Sequence, residues 1–320
     1  MKAEKARPLN QKEIGPYDLE ALDIKPVYIP PTWVGELKSS TNSSLGVLKK
    51  FNLADRNYTY YVKSGASRGL YFNIRQPIME KIASNIGMLI GLDVVEYKLW
   101  VIDRELFEGI EGGESHVSEF SPSSGSVVEG DNQPSLQKCL ADEGKVLVSI
   151  CKSFLSEGES FHSCDKLFKD TSQPNLYNNL CDMNENTVIQ LNQMILFDYL
   201  IHNTDRHRKN FGFIQSEEDG YRFSPLFDHG LSFLCEFEDA EIREHGMDLV
   251  TFAMGKPFGN LVKAKDLINP ESVRNLNWGI ATSELLLVLE PYSEVLGESR
   301  IQLMKKLIET RWEHAKSLFS

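Results

Sequence analysis

The sequence predicts an α+β fold of two lobes, a small β-rich N-terminal lobe and a larger, mainly helical C-terminal one. Three observations carry this. Aromatic and β-branched runs that read as strands are concentrated before residue 152. An apolar run, Val188 to Leu200, then reads as a central buried helix, being apolar on nearly all sides. From Ser272 onward helical patterns dominate. The chain divides accordingly into an arm over 1–35, an N-lobe over 36–152 with a flexible insertion at 105–137, and a helical C-lobe over 153–320.

Residues 1–35 are charged and then proline-rich (Y-I-P-P-T-W, Tyr28 to Trp33), which suits an arm or lead-in strand rather than a core element. Lys38 to Leu48 is a cluster of Ser, Thr, Asn and Gly and reads as a turn. Small residues there, Ser43 and Ser44 among them, would let backbone N–H groups approach a phosphate. An ordinary surface turn accounts for the same residues, and the stretch is neither G-x-G-x-x-G nor a P-loop. Asn57 to Ser64 is aromatic and β-branched, a strand, with Lys63 near its end and Gly65 beyond. Gln76 to Ile90 is a helix whose Ile78, Ile82, Ile86, Leu89 and Ile90 share a face, and Gly91 stops it. Glu80 lies off that face, which favours solvent. Asp93 to Ile102 alternates in part and reads as a strand. Glu105 to Gln137 is rich in glycine, serine and acid, a composition that packs no core. Lys145 to Cys151 is a buried strand, and Ser149 to Lys152 marks the hinge between the lobes.

Phe154 to Asn186 is polar and irregular. Thr187 to Gln190 is a capping-box pattern opening the central helix. Phe211 to Gln215 and Tyr221 to Ser224 flank E-E-D-G, Glu217 to Gly220, a hairpin signature. Gly255, Pro257 and Gly259 argue for a shaped loop within Asp248 to Asn260. The last helix, Ser293 to Phe319, sets Leu296, Leu303, Leu307, Trp312 and Leu318 among charged residues, an amphipathic face. No internal repeat is present.

Composition sets outer bounds. The 320 residues are 41% apolar, enough for a real core. Lys and Arg number 34 against 46 Asp and Glu, a net charge of −12. Nucleic-acid affinity comes mostly from neutralising phosphates, so direct nucleic-acid binding is not expected. A local concentration of base remains at Arg206, Arg208 and Lys209. The five cysteines, Cys139, Cys151, Cys164, Cys181 and Cys235, include no C-x-x-C pair and point to a reducing compartment. The N-terminus has no apolar signal region and no run reaches membrane-spanning length. The expectation is a cytoplasmic protein without membrane contact; an effector secreted without a cleaved signal would look the same.

The chemistry-bearing stretch is Ile201 to Gly212, I-H-N-T-D-R-H-R-K-N-F-G, followed by Ser224 to Phe233, S-P-L-F-D-H-G-L-S-F. Both set acids inside an apolar frame, and a charge in apolar surroundings is costly unless paired or used. The residue types suit phosphoryl transfer, which needs positioning and charge neutralisation more than covalent chemistry. One carboxylate must face the attacking hydroxyl, here Asp205. An amide oxygen and a second carboxylate must hold Mg²⁺ against the phosphates of ATP, here Asn210 and Asp228. The D-x-x-x-x-N spacing alone occurs by chance, and Asp205 to Arg208 would also suit a solvated helix end. Lys63 would reach the phosphates from its strand, or be an exposed strand-end lysine. At the hinge, Ile150 and Cys151 would meet adenine through backbone groups. Two rival readings use the same residues. His202, Asp205, His207, Asp228 and His229 could crowd round a transition metal in a phosphohydrolase, although the chain has only seven histidines and no upstream cluster. His207 also reads as a neutral brace of the loop, the usual role of a satisfied core histidine. A catalytically inactive binding module is the other rival, and the complete set Asp205, Asn210 and Asp228 argues against it.

Asn203 to Gly212 (N-T-D-R-H-R-K-N-F-G) together with Pro225 to Gly230 (P-L-F-D-H-G) resembles the HipA-like kinases, distant relatives of protein kinases and phosphatidylinositol kinases. The resemblance covers roughly Tyr58 to Asn260 and is strongest in these two motifs. It implies a two-lobed kinase fold and an ATP- and Mg²⁺-dependent kinase acting on Ser or Thr of a protein, with lipid the near alternative. It implies Glu80 as the partner of Lys63, against the solvated reading. It also implies possible autophosphorylation within Ser39 to Ser44 and, for toxins of this type, an antitoxin-like partner. Such toxins commonly carry an additional N-terminal subdomain. About 57 residues precede the first clear strand here, so a compact, kinase-core form is expected.

Overall fold

In this computed structural model the described residues are 27–28, 37–39, 50–54, 59–68, 71–109, 144–217, 220–238, 240–241, 244, 256–258 and 264–320. Ser43 and Ser44 lie outside them, as do the expected autophosphorylation positions after Ser39 and most of the expected insertion.

The N-terminal half supplies β1 (Val27–Tyr28), β2 (Leu37–Ser39), β3 (Lys50–Ala54) and β4 (Thr59–Ser64), then a short ribbon of β5 (Ser67–Arg68) and β6 (Tyr71–Phe72). Helix α1 (Arg75–Leu89) follows, then β7 (Lys98–Asp103), α2 (Arg104–Gly109) and β8 (Lys145–Lys152). Among the described residues the main sheet has the order β1-β7-β8-β4-β3-β2. It is antiparallel except where β1 joins β7. Helix α1 buries Ile78, Met79, Ile82, Ala83 and Ile86 completely. It ends at Ile90, and Gly91 takes the left-handed conformation (φ 83°) that glycine adopts without a Cβ penalty.

Two expectations are corrected here. The strand predicted from Asp93 starts only at Lys98, because the backbone before it is used elsewhere. Val95 N–H donates to the Leu226 carbonyl at 2.9 Å and Leu226 N–H to the Asp93 carbonyl at 2.8 Å. This bridge ties the chain after α1 to the chain before Asp228. The insertion predicted from residue 105 begins instead as helix α2, whose Phe107 is buried.

The C-terminal half contains β9 (Ser160–Ser163), α3 (Cys164–Leu167), α4 (Gln173–Cys181), α5 (Glu185–Ile201), β10 (Gly212–Ser216) and β11 (Gly220–Phe223). A 3₁₀ turn (Ala264–Leu267) precedes α6 (Pro270–Val273), α7 (Thr282–Leu287), α8 (Ser293–Leu296) and α9 (Glu298–Phe319). The predicted hairpin is β10–β11, and β9 adds a third antiparallel strand to it. The segment read as irregular thus holds a strand, β9, and two helices, α3 and α4. Helix α5 is capped by Asn184, whose side chain accepts the Thr187 N–H at 2.8 Å, so it opens before the predicted Thr187 box. Its apolar surface is covered by α4, α6, α9 and the 3₁₀ turn, which is why it is apolar all round. The predicted last helix is broken at Gly297 (φ 83°), and Leu318 of its apolar set is exposed, while Leu307 and Trp312 are fully buried. No helix among the described residues is long and apolar enough to cross a membrane.

Candidate active site

Side chains alternate along a strand, so Tyr61 and Lys63 share one face of β4. The register Tyr61↔Cys151 and Lys63↔Ser149 sets β8 residues beside them. Lys63 Nζ donates to Glu80 Oε1 of α1 at 2.5 Å and also to Asp228 Oδ1. The second oxygen of Glu80, Oε2, accepts the His229 N–H at 2.7 Å. Glu80 is fully buried, which overturns the solvated reading. Its charge is tolerated inside because both oxygens are engaged. Burial pulls the Lys63 ammonium down, but the charges of Asp228 and Glu80 outweigh it and hold the group above its ordinary value. Asp228 itself is left-handed (φ 61°), a region that Asp enters more readily than most residues. Gly230 lies against the same cluster. A Cβ there would sit 3.2 Å from Glu80 Oε1 and 3.5 Å from Lys63 Nζ, so F-D-H-G ends in the residue that leaves the ion pair room.

The loop bearing Asp205 is fixed differently. Helix α5 ends on His202 in the left-handed region (φ 53°). Asn203 Nδ2 donates to Asp198 Oδ1 at 2.8 Å, and Asn203 Oδ1 accepts the Asp205 N–H at 3.1 Å. Asn210 Nδ2 donates to the Asp205 carbonyl at 3.0 Å. With its nitrogen engaged, it is the amide oxygen of Asn210 that remains to meet a cation. Arg206 is 1% exposed and is no part of a basic surface patch. Its guanidinium forks onto Asp198, Nε to Oδ2 at 2.9 Å and an Nη to Oδ1 at 3.0 Å. The other Nη donates to the carbonyls of Asn210 at 2.6 Å and Phe227 at 2.7 Å. One side chain thereby clamps the Asp205 loop to the residue before Asp228. Arg208 is likewise spent on the carbonyls of Phe168 and Thr171. Neither Arg206 nor Asp198 was identified for this role from sequence; the available signal was an acid inside an otherwise apolar helix, eight residues before an arginine.

The Asp205 carboxyl is half-buried. Burial pushes it above the ordinary carboxylate range, and Asp228 and Glu236 add to this, while His207 and Lys256 oppose it. The charge of Asp228 thus acts on Asp205. His207 braces the loop, its Nδ1 accepting the Lys209 N–H at 3.2 Å, but it is half-exposed and not a core histidine. Its Nε2 stands 3.8 Å from Asp205 Oδ2.

Beside Lys63 is a cluster of aromatic rings. Phe154 stacks on Phe227 at 5.8 Å, Phe161 meets Phe227 edge-on at 5.5 Å, and Tyr61 tilts towards Phe154 at 6.5 Å. These rings come from β4, β9, the chain leaving β8 and the residue before Asp228, so no single stretch of sequence announces them. Ile150 and Cys151 are still inside β8 and buried, Ile150 facing Val62 and Lys98 in the ladder. The chain leaves that strand after Lys152. The Cys151 thiol hydrogen-bonds Tyr97, and burial pushes it up to about 12.

The histidine-rich metal set is not assembled. Among the described residues no group of three or more His, Cys, Asp or Glu is placed to hold a metal ion. His202 is buried at the end of α5, where burial and the Arg311 charge lower it to about 4. His229 packs edge-on against Phe197 at 5.2 Å, and burial with the Arg206 charge holds it well below its usual value. A magnesium–nucleotide group fits the residues better. Lys63, Glu80 and Asp228 carry two carboxylates to one ammonium, an unbalanced negative charge at a buried point. Mg²⁺ needs only one or two protein carboxylates when phosphates complete its shell.

Residues 160–260 match the HipA-like C-terminal domain family. No curated protein matches the chain in sequence. The crystal structure of a Helicobacter pylori proinflammatory kinase, CtkA, is similar with a TM-score of 0.58, covering 89% of this chain and 97% of that one. Identity is 14%, so the likeness is one of fold. The chain thus has a kinase-like α+β fold, and within it residues 160–260 are similar to the HipA-like C-terminal domain.

Proposed function

We propose that the protein is an ATP- and Mg²⁺-dependent phosphotransferase acting on a Ser or Thr hydroxyl of a protein substrate. The observation that carries this is the convergence of Lys63, Glu80 and Asp228, far apart in sequence, beside the gap that Asp205 faces. When bound, Mg²⁺ would supply neutralisation of the negative charge on the phosphates. Asp228 and the amide oxygen of Asn210 would hold the ion. Lys63 would hold phosphate oxygens, kept charged and aimed by Glu80. The aromatic cluster of Tyr61, Phe154 and Phe227 would offer a ring face for the flat base to stack on. Asp205 would accept the proton of the attacking hydroxyl, with Asn203 and Asn210 holding its backbone in place. Arg206 would act through the backbone, fixing the spacing between the two loops.

The test is transfer of the γ-phosphate from labelled ATP with Mg²⁺, first to the protein itself and then to proteins of a lysate. Label on serine or threonine, lost in Asp205→Ala, supports the reading. Label on lipid alone moves the substrate class, and nucleotide binding without any transfer leaves a binding module.

A further inference from the structure

One cation at the site comes from a segment to which the sequence assigned no chemistry. Lys256 belongs to the turn Lys256–Phe258. Phe258 is buried and meets Tyr177 edge-on at 5.6 Å, which pins the turn to the C-terminal half. Lys256 itself is exposed, yet its Nζ donates to the Thr204 carbonyl at 2.9 Å, one residue before Asp205. An exposed lysine fixed on a single backbone carbonyl gains little stability, since the hydrogen bond is set against lost rotamer freedom. Stability alone does not account for the placement.

The charges around Asp205 point to another use. His207 faces it from the same loop, Asp228 from the metal loop, Glu236 from the chain beyond, and Lys256 from its turn. Glu236 is held by the Thr204 hydroxyl at 2.8 Å. Lys63 is engaged deeper, with Glu80 and Asp228. Arg206 and Arg208 are committed to Asp198 and to backbone carbonyls. Lys256 therefore brings an ammonium to the acceptor side of the gap, with three rotatable donors of which Thr204 takes one.

We propose that Lys256 is a further catalytic residue, whose ammonium contacts the phosphoryl group as it passes to the hydroxyl held by Asp205. This rests on the phosphotransferase reading above. In the step, the bond from the γ-phosphorus to the bridging oxygen breaks and the bond to the acceptor oxygen forms. The hydroxyl proton goes to Asp205 and ADP leaves. Lys256 keeps its protons and offsets charge on the transferring group, where preorganised donors have their largest effect.

The experiment uses the full chain with Mg²⁺ and ATP, and compares wild type with Lys256→Met, Lys256→Arg and the distant surface variant Lys306→Met. Lys256→Met should lower kcat by about 10²-fold, leaving KM for ATP within about threefold, a loss confined to the transition state. Lys256→Arg should recover at least about tenfold of that loss, since charge is kept. Lys306→Met should match wild type. Binding gives a second readout: ADP should bind wild type and Lys256→Met alike, whereas the tightening caused by fluoroaluminate, a mimic of the transferring group, should be lost in Lys256→Met. An active wild type with an unimpaired Lys256→Met, or a loss lying wholly in KM, overturns the role of Lys256 and leaves the phosphotransferase reading standing. A wild type that transfers no phosphate overturns both.

Discussion

Asp228 and Asp205 are held in opposite ways. Asp228 is pinned by charge: its carboxylate meets the Lys63 ammonium, which Glu80 steadies from the other side. Asp205 is positioned through its backbone, by Asn203 on its N–H and Asn210 on its carbonyl, with its carboxyl left half-open. A part held by charge fails when one charge is lost. A part held by backbone hydrogen bonds keeps its shape when the side chain changes. The variants below test that distinction.

The largest effect belongs to Asp228→Ala. It removes the carboxylate proposed above to hold Mg²⁺ and one partner of Lys63 together. Transfer should fall at least about 10³-fold, and Mg²⁺-dependent nucleotide binding, followed by calorimetry, should go with it. Asp205→Ala comes next, with transfer down about 10²- to 10⁴-fold but nucleotide affinity kept. If both variants lose nucleotide equally, the contrast between the two acids is broken. Stability sharpens the contrast. Burial raises the Asp205 carboxyl above its unfolded value. What it contributes is present below the unfolded pKa and lost as pH rises through the folded one, so at neutral pH the charged form is a burden. Asp205→Asn should therefore melt no lower than wild type at pH 7.

Arg206→Met tests the clamp between the two loops. Removing one member of a buried ion pair costs about 3–5 kcal/mol, which denaturant unfolding would show. Adding Asp198→Leu should restore part of it, because the stranded charge is then gone. The smallest effect is at His202, lowered to about 4 from an ordinary 6.5. A histidine depressed in the fold contributes stability that is whole above its unfolded pKa and lost as pH falls through the folded one. Stability should fall between about pH 6.5 and pH 4, by up to about 1.4 kcal/mol per pH unit from this one group. His202→Asn, which accepts the left-handed backbone, should flatten that slope in pH-dependent melting.

The fold class was legible because it rests on patterns that sequence displays directly: strands early, an all-apolar helix, a helical remainder. The Asp205 and Asp228 loops were legible because acids and amides inside apolar frames are rare. Glu80 was misread from the residues alone because helical periodicity counts apolar positions and cannot see Lys63 waiting opposite. Arg206 was misread for the converse reason. Three basic residues in four look like a wet surface, and only the fold shows Asp198 and two carbonyls inside. The four residues of β9 are too few for alternation to show, and they pair with a strand some fifty residues later. The aromatic cluster of Tyr61, Phe154 and Phe227 is assembled from separate segments, so it exists only in three dimensions.

The Arg206 guanidinium donates to the carbonyls of both Asn210 and Phe227. Chain length between them consequently does not alone set the spacing of Asp205 and Asp228. The β10–β11 hairpin lies between these two carbonyls along the chain. Residues could be added or removed at its tip, and the working distance inside would stay the same.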